Sequence, residues 1–172
     1  WDINSLKPLA RYTKSYHKVS KLKLGGVRFW IVPFIYYEDE YMKTLDKIYK
    51  QHQEGDVLLT HIGVKSATLN ACFLLKSWSV VEFAESPFDR VYAGHFHIQQ
   101  QVGHNVWYPG SPVPFRFDEG DAAHGFFTFD TTTRTHEFID LWEGAGDDAP
   151  PQLWTIDDSS IKTIETDTVK GN

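Results

Sequence analysis

The chain has 172 residues, of which 41% are hydrophobic and 15% aromatic, and its formal net charge is −6. This much apolar side chain is enough to bury the core of one domain. No run approaches the roughly 18 to 20 apolar residues of a membrane-spanning helix, and the first residues lack the features of a signal peptide. The negative net charge argues against nonspecific binding of nucleic acid by a positively charged surface, so a phosphate would have to bind at a local site. The lone cysteine, Cys72, excludes an internal disulfide and favours a cytoplasmic location.

The first part of the chain shows alternating strand and helix patterns. The predicted elements are hairpin strands Val19 to Leu24 and Val27 to Pro33, the helix Tyr37 to Gln53, and the strand Val57 to Leu59. Gly25 and Gly26 supply the hairpin turn, and acidic residues precede basic ones in the helix, as its dipole favours. His61 follows the strand Val57 to Leu59, at its carboxyl end. A strand, helix, strand order predicts an α/β fold.

The second part is richer in predicted strands. The predicted elements are a partly helical segment from Lys65 to Phe83, the strand Arg90 to Ala93, and antiparallel strands at Val106 to Tyr108, Gly125 to Asp130 and His136 to Leu141. Residues 1–142 are therefore predicted to form one domain. The Gly-, Asp- and Pro-rich segment 143–151 has the composition of a linker, and 152–172 is either an added edge strand or a tail.

Histidines follow two of the predicted strands. Gly94-His95-Phe96-His97 comes directly after Arg90 to Ala93, and imidazole is a good ligand for zinc, iron and manganese. A His-x-His pair by itself is a weak signal, because exposed histidines occur at this spacing by chance. His61 strengthens it, since neighbouring strands that both end in histidine would bring three imidazoles to one sheet edge. That edge is where open α/β folds bind their ligands.

These motifs resemble those of the calcineurin-like metallophosphoesterases, in which a strand-terminal His precedes Gly-His-x-His. The sequence is most similar to one branch, the SbcD-like DNA nuclease subunits and their phage relatives. The similar segments are Thr60-His61, Gly94-His95-Phe96-His97-Ile98-Gln99, Val106-Trp107-Tyr108-Pro109-Gly110-Ser111-Pro112, Phe117-Asp118-Glu119 and Gly125-Phe126-Phe127-Thr128-Phe129. Weaker similarity extends upstream to Asn4-Ser5-Leu6 and Val32-Pro33-Phe34-Ile35. The resemblance implies half of a metallophosphoesterase β-sandwich, with mixed sheets and flanking helices.

The resemblance also implies a two-metal phosphodiesterase, a DNA exonuclease or endonuclease. His61 and His95 would ligate one divalent metal and His97 the other, with manganese favoured and iron or zinc as alternatives. Metals about 3.5 to 4 Å apart bind the phosphate and lower the pKa of a bridging water. The implied partners are DNA and an SbcC-like ATPase subunit, and a homodimer is left open.

The sequence departs from the family pattern upstream of these motifs. An Asp-x-His, a complete Gly-Asp-x-x-Asp and a Gly-Asn-His do not occur in it. Because those motifs supply the bridging carboxylate and the remaining ligands, the chain resembles the C-terminal half of such an enzyme. We therefore expect weak or partial metal occupancy and no catalysis by this chain alone. The alternatives are a phosphomonoesterase or cyclic-nucleotide phosphodiesterase of the same fold, and a binding domain without catalysis.

Several further side chains are candidates for contact with a substrate. The segment Tyr108 to Pro112 is predicted to form a loop beside the histidines, because its prolines stop strand pairing. Ser111 in this loop, Arg116 and His104 are the candidate substrate contacts, and a surface salt bridge is equally compatible with Arg116.

For other residues an ordinary structural role is favoured. Asp118 and Glu119 are expected to form a solvated acidic turn rather than to order the loop beneath the site. His136 is expected at the surface, and His124 in a turn. The strand aromatics are expected in the core, namely Phe29, Trp30, Phe34, Phe126, Phe127 and Phe129.

Overall fold

The computed structural model describes residues 8, 11–68, 80–81, 86–116, 119, 122–143 and 146. Within these ranges the elements in chain order are β1 (Ser20–Leu24), β2 (Val27–Val32), α1 (Glu38–Tyr49), β3 (Val57–His61), β4 (Gly63–Val64), β5 (Val80–Val81), β6 (Arg90–Gly94), β7 (Gln100–Val102), β8 (Val106–Tyr108), β9 (Gly125–Asp130) and β10 (Thr135–Asp140).

Six strands form the main sheet, in the order β1-β2-β3-β6-β8-β7. The four central strands, β2, β3, β6 and β8, run parallel, and the two outer strands pair antiparallel to their neighbours. The sheet is therefore mixed, as expected for this α/β fold. Because the central strands share one direction, their carboxyl ends meet at a single sheet edge.

One face of this sheet is covered by α1. Tyr41, Leu45 and Ile48 recur at helical spacing and are fully buried against sheet residues such as Leu58. Acidic residues fill the first turn of the helix, where its dipole favours them. The buried hydroxyl of Tyr108 donates to the carbonyl of Ile62 at 2.8 Å, which ties β8 to the residue directly after His61.

The other face carries the β9–β10 hairpin, which pairs only with itself among the described strands. Phe129 meets Phe29 of β2 edge to face, with ring centroids 5.8 Å apart, and Tyr92 of β6 packs against the same cluster. An apolar cavity of about 490 Å³ lies between the hairpin and the sheet.

A buried carboxylate joins β2 to the turn before β3. Asp56 accepts hydrogen bonds from Arg28 Nε at 2.7 Å, from Trp30 Nε1 at 2.8 Å and from the backbone amide of Gln53 at 3.1 Å. Burial works to raise the pKa of Asp56, but these donors outweigh it and the pKa is lowered. Asp56 is therefore a charged structural link.

Most predicted elements are found with small shifts in their ends, and two features differ. The strand at Val106–Tyr108 pairs parallel with β6 as well as antiparallel with β7, because it is inserted between them. Three short strands, β4, β5 and β7, are too brief to carry a periodic signal. The segment Lys65 to Phe83 lies largely outside the described residues, as do most of 143–151 and all of 152–172.

Two aromatic residues contradict the expectation that they belong to the core. Phe34 is 55% exposed because the chain has left the sheet after Val32. Phe126 is 46% exposed, since alternation along β9 turns it away from the partly buried Phe127 and Phe129. α1 is 12 residues long, and no helix in the described ranges is long and apolar enough to cross a membrane.

Candidate functional site

Two histidines meet at the carboxyl edge of the central strands. His61 is the last residue of β3 and pairs in register with Gly94, the last residue of β6, so that His95 follows directly beside it. The rings of His61 and His95 lie edge to face, with centroids 5.6 Å apart. Parallel pairing of adjacent strands thus brings the two imidazoles together.

The backbone beneath this pair is tightly shaped. A Cβ at Gly94 would lie 2.8 Å from His61 Nδ1, so the missing side chain allows the His61 ring to rest against β6. His95 has a φ of 123°, a conformation that residues with a side chain rarely adopt. Strained backbone of this kind concentrates at functional sites, where the surrounding structure holds it.

The electrostatics favour neutral imidazoles. Burial lowers the pKa of His61, and the neighbouring His95 and His97 lower it further. The pKa of His95 is lowered by burial and then by His97. Both rings therefore keep a lone pair near neutral pH, which is the form that binds a metal or accepts a proton.

His97 is held by a buried carboxylate. Its Nδ1 lies 2.9 Å from Glu119 Oε1, while Glu119 Oε2 accepts the backbone amide of Phe115 at 2.8 Å. A carboxylate oxygen is an acceptor, so in this contact His97 Nδ1 donates to Glu119, which leaves Nε2 as the ring nitrogen that could bind a metal. The expectation of a solvated turn is wrong for Glu119, which is 2% exposed; Asp118 lies outside the described residues.

The loop after β8 packs against His97. It is irregular from Pro109 onward, as predicted, and Ser111 donates its amide to the His97 carbonyl at 3.0 Å. Gly110 has a φ of 77°, and a Cβ there would lie 2.7 Å from the same carbonyl. Only glycine permits this approach and this backbone conformation together.

His124 contacts the same loop through both of its ring nitrogens. It is fully buried, with Nδ1 3.0 Å from the carbonyl oxygen of Ser111 and Nε2 2.9 Å from that of Glu119. Its ring packs on Trp142 with centroids 4.5 Å apart. His124 is therefore a structural clamp on the loop. Neither this role nor that of Glu119 has a local signal in the sequence.

The candidate substrate contacts lie in different places. Ser111 is 4% exposed, and its hydroxyl faces His124 and the His97 carbonyl. Arg116 is exposed in the loop that contacts His97. His104 lies in the turn before β8, at the amino end of that strand, and therefore at the sheet edge opposite His61. The structure thus brings Ser111 and Arg116 near the histidines and leaves His104 apart.

The histidines fit part of a metal site. They offer imidazole nitrogens at strand ends, and Glu119 orients His97 by a hydrogen bond to its other ring nitrogen, as carboxylates commonly orient metal-bound histidines. Across the described ranges, however, no group of three or more His, Cys, Asp or Glu residues is arranged to hold a metal ion. These residues alone therefore do not complete a binuclear site.

Fold and site together define an α/β protein with a histidine pair at the carboxyl edge of a mixed sheet. No known family profile matches the chain. It is similar to exonuclease subunit 1 of Enterobacteria phage T4, with 28% identity over 143 residues. The similarity covers 78% of this chain and 39% of the phage protein, so the chain spans well under half the length of this relative.

Proposed function

We propose that this chain is the histidine-bearing part of a calcineurin-like nuclease that hydrolyses DNA phosphodiester bonds. The observation that carries the proposal is the pair His61 and His95, two neutral imidazoles at the ends of adjacent parallel strands with ring centroids 5.6 Å apart. The similarity to a phage exonuclease subunit favours a nuclease over a phosphomonoesterase or a cyclic-nucleotide phosphodiesterase.

In this proposal His61 and His95 bind one divalent metal, with manganese favoured, and His97 binds a second through Nε2. The metals would supply electrostatic stabilisation of the phosphate and a nucleophilic water. Glu119 keeps His97 in the correct tautomer and orientation. The further ligands come from protein groups other than the described residues, and the partners are DNA and an SbcC-like ATPase subunit.

A second candidate is a DNA-binding domain of the same fold that performs no catalysis. It is favoured by one observation, namely that the described residues hold no group of three potential metal ligands. The two candidates differ in whether hydrolysis depends on the histidines.

The test is a manganese-dependent nuclease assay on the protein expressed from its complete reading frame, using end-labelled linear DNA. We expect cleavage that falls by at least about a hundredfold in His61→Ala and in His95→Ala, because each change removes a metal ligand. Gln101→Ala on the edge strand β7 serves as the control, since the exposed Gln101 side chain donates to backbone carbonyls of the adjoining turn, at the sheet edge opposite His61.

Cleavage that survives both histidine substitutions would contradict the proposed site. DNA binding without any cleavage, unchanged by either substitution, would favour the binding domain instead.

A further inference from the structure

Two exposed phenylalanines flank the histidines. Phe34 is 55% exposed and Phe115 is 65% exposed. The ring of Phe34 lies edge to face with His61 at 5.8 Å between centroids, and that of Phe115 lies 5.4 Å from His97. Each therefore contacts a different member of the candidate site while presenting much of its surface to solvent.

The two rings lie at opposite flanks of the sheet edge. Phe34 follows β2, and Phe115 belongs to the loop after β8, with β3 and β6 between them. Three strand spacings, about 14 Å, separate β2 from β8, the strands that precede the two residues. The histidines lie between the two phenylalanines along the sheet edge.

The backbone of Phe115 is anchored beside His97. Its amide donates to Glu119 Oε2 at 2.8 Å, and Glu119 is buried and bonded to His97. Phe34 is braced by its contact with His61 and by an edge-to-face contact with Tyr36 at 6.5 Å. Rings fixed before binding lose little conformational freedom when a ligand arrives.

We propose that Phe34 and Phe115 form a stacking clamp that binds the bases of single-stranded nucleic acid at the histidine edge. This inference rests on the proposed function and specifies its substrate as an unpaired strand. Aromatic rings stack on the faces of bases, and those faces are accessible when the bases are unstacked. Because the net charge is −6, stacking rather than general attraction to phosphate provides the affinity.

The experiment measures binding of the 172-residue chain by fluorescence anisotropy in EDTA, so that neither metal nor hydrolysis contributes. The probes are a labelled oligothymidylate of about 12 nucleotides, an abasic strand of the same length, and a blunt duplex. We expect the oligothymidylate to bind at least about tenfold more tightly than either other probe, since only its bases are both present and unpaired.

Phe34→Ala and Phe115→Ala should each weaken oligothymidylate binding by about tenfold, whereas Phe34→Trp and Phe115→Trp should retain it. Phe126→Ala is the matched control, because Phe126 is a comparably exposed aromatic residue on the β9–β10 hairpin. Circular dichroism and gel filtration check that each variant keeps its fold and its oligomeric state.

Equal binding of the intact and abasic strands, or binding indifferent to both alanine substitutions, overturns the stacking clamp and leaves the proposed nuclease function standing. No binding to any of the probes overturns the stacking clamp, and the nuclease assay then decides the proposed function separately. Alanine substitutions that change the oligomeric state without changing DNA affinity would identify the two rings as a self-association surface and also overturn the inference.

Discussion

His95 combines a functional side chain with an unfavourable backbone. Its φ of 123° places it where residues with a Cβ are rare, and such strain costs of order 1 to 3 kcal/mol. The hydrogen bond from the Ile62 amide to the Gly94 carbonyl, at 3.2 Å, helps to hold the backbone there. The strain is therefore offset by contacts between β3 and β6.

This strain predicts an unusual order of stability among substitutions. We expect His95→Gly to be more stable than His95→Ala by about 1 to 2 kcal/mol, because glycine relieves the conformation and both changes remove the imidazole. The measurement is the free energy of unfolding in urea.

The same pair of substitutions at His97 is the control, since the φ of His97 is not positive. There alanine should be more stable than glycine by roughly 0.5 to 1 kcal/mol. If alanine is also the more stable residue at position 95, the strained backbone is disproved.

At the scale of elements, Asp56 determines how β2 meets the turn before β3. It is 2% exposed and accepts four hydrogen bonds, two of them from the Arg28 guanidinium and one from Trp30. Asp56→Asn should lower the free energy of unfolding by about 3 kcal/mol, because it leaves the Arg28 guanidinium without its counter-charge. Chemical denaturation measures the loss.

The control for this prediction is Asp39→Asn in α1. Asp39 pairs with Lys43 at 3.1 Å, but both side chains are more than 70% exposed, so the change should leave the free energy of unfolding almost unchanged. Losses of similar size at the two positions would refute the structural role of Asp56.

The contact between the β9–β10 hairpin and the main sheet includes a histidine that can titrate near neutral pH. His136 of β10 accepts the Tyr92 hydroxyl at Nδ1, 2.7 Å away, and Arg90 Nη1 approaches the same atom at 3.3 Å. Burial raises the pKa of Tyr92 to about 12, so this hydroxyl remains a donor. Protonation of His136 at Nδ1 would remove this acceptor and place a second positive charge against the Arg90 guanidinium.

The pKa of His136 is lowered, first by burial and then by Arg90. The unfolded chain therefore takes up this proton more readily, near the ordinary value of about 6.5. The stability contributed by neutral His136 is present above that pH and is lost as the pH falls from there through the folded pKa. The charged neighbours Arg134 and Asp89 bond to Arg90 and to each other.

Urea unfolding near pH 7.5 and near pH 5.5 tests this effect, on the wild type and on His136→Gln. We expect the wild type to lose more free energy on acidification than His136→Gln, whose amide accepts a hydrogen bond without titrating. Comparing the two proteins cancels the contributions of the other histidines. Equal losses would show that His136 does not couple the hairpin to pH.

At the scale of the whole molecule, parallel strands bring the candidate ligands His61 and His95 to one sheet edge. If these two bind one metal and His97 the other, the second ion has a single ligand among the matched histidines, so we expect manganese to bind weakly and the 172-residue chain alone not to cleave DNA. Losing the charge stabilisation and positioning of a metal pair removes many orders of magnitude in rate. Isothermal titration with manganese and a nuclease assay on the chain provide the check. Manganese-dependent cleavage by the wild-type chain that is lost in His95→Ala would contradict this prediction. It would show that other residues of this chain supply the remaining metal ligands.

Much of the fold follows from local patterns in the sequence. Helical spacing of Tyr41, Leu45 and Ile48 predicts α1, and short apolar runs predict β3 and β6 together with the histidines that end them. Their proximity follows as well, since adjacent parallel strands end at one edge. The prolines and glycine after Tyr108 predict the loop. These signals are available because each depends on residues close together in the chain.

Long-range contacts decided the rest. The sequence around Glu119 predicts a solvated acidic turn. In the structure Glu119 is buried and paired with His97, which lies 22 residues away in the chain. Phe34 resembles a core residue, and only the end of β2 leaves it exposed. The parallel pairing of β8 with β6 is likewise a property of the assembled sheet. The sequence determined the local elements because backbone preference and hydrophobic period act over a few residues. The tertiary structure decided which polar groups are paired, because burial and hydrogen bonding depend on segments that meet only after folding.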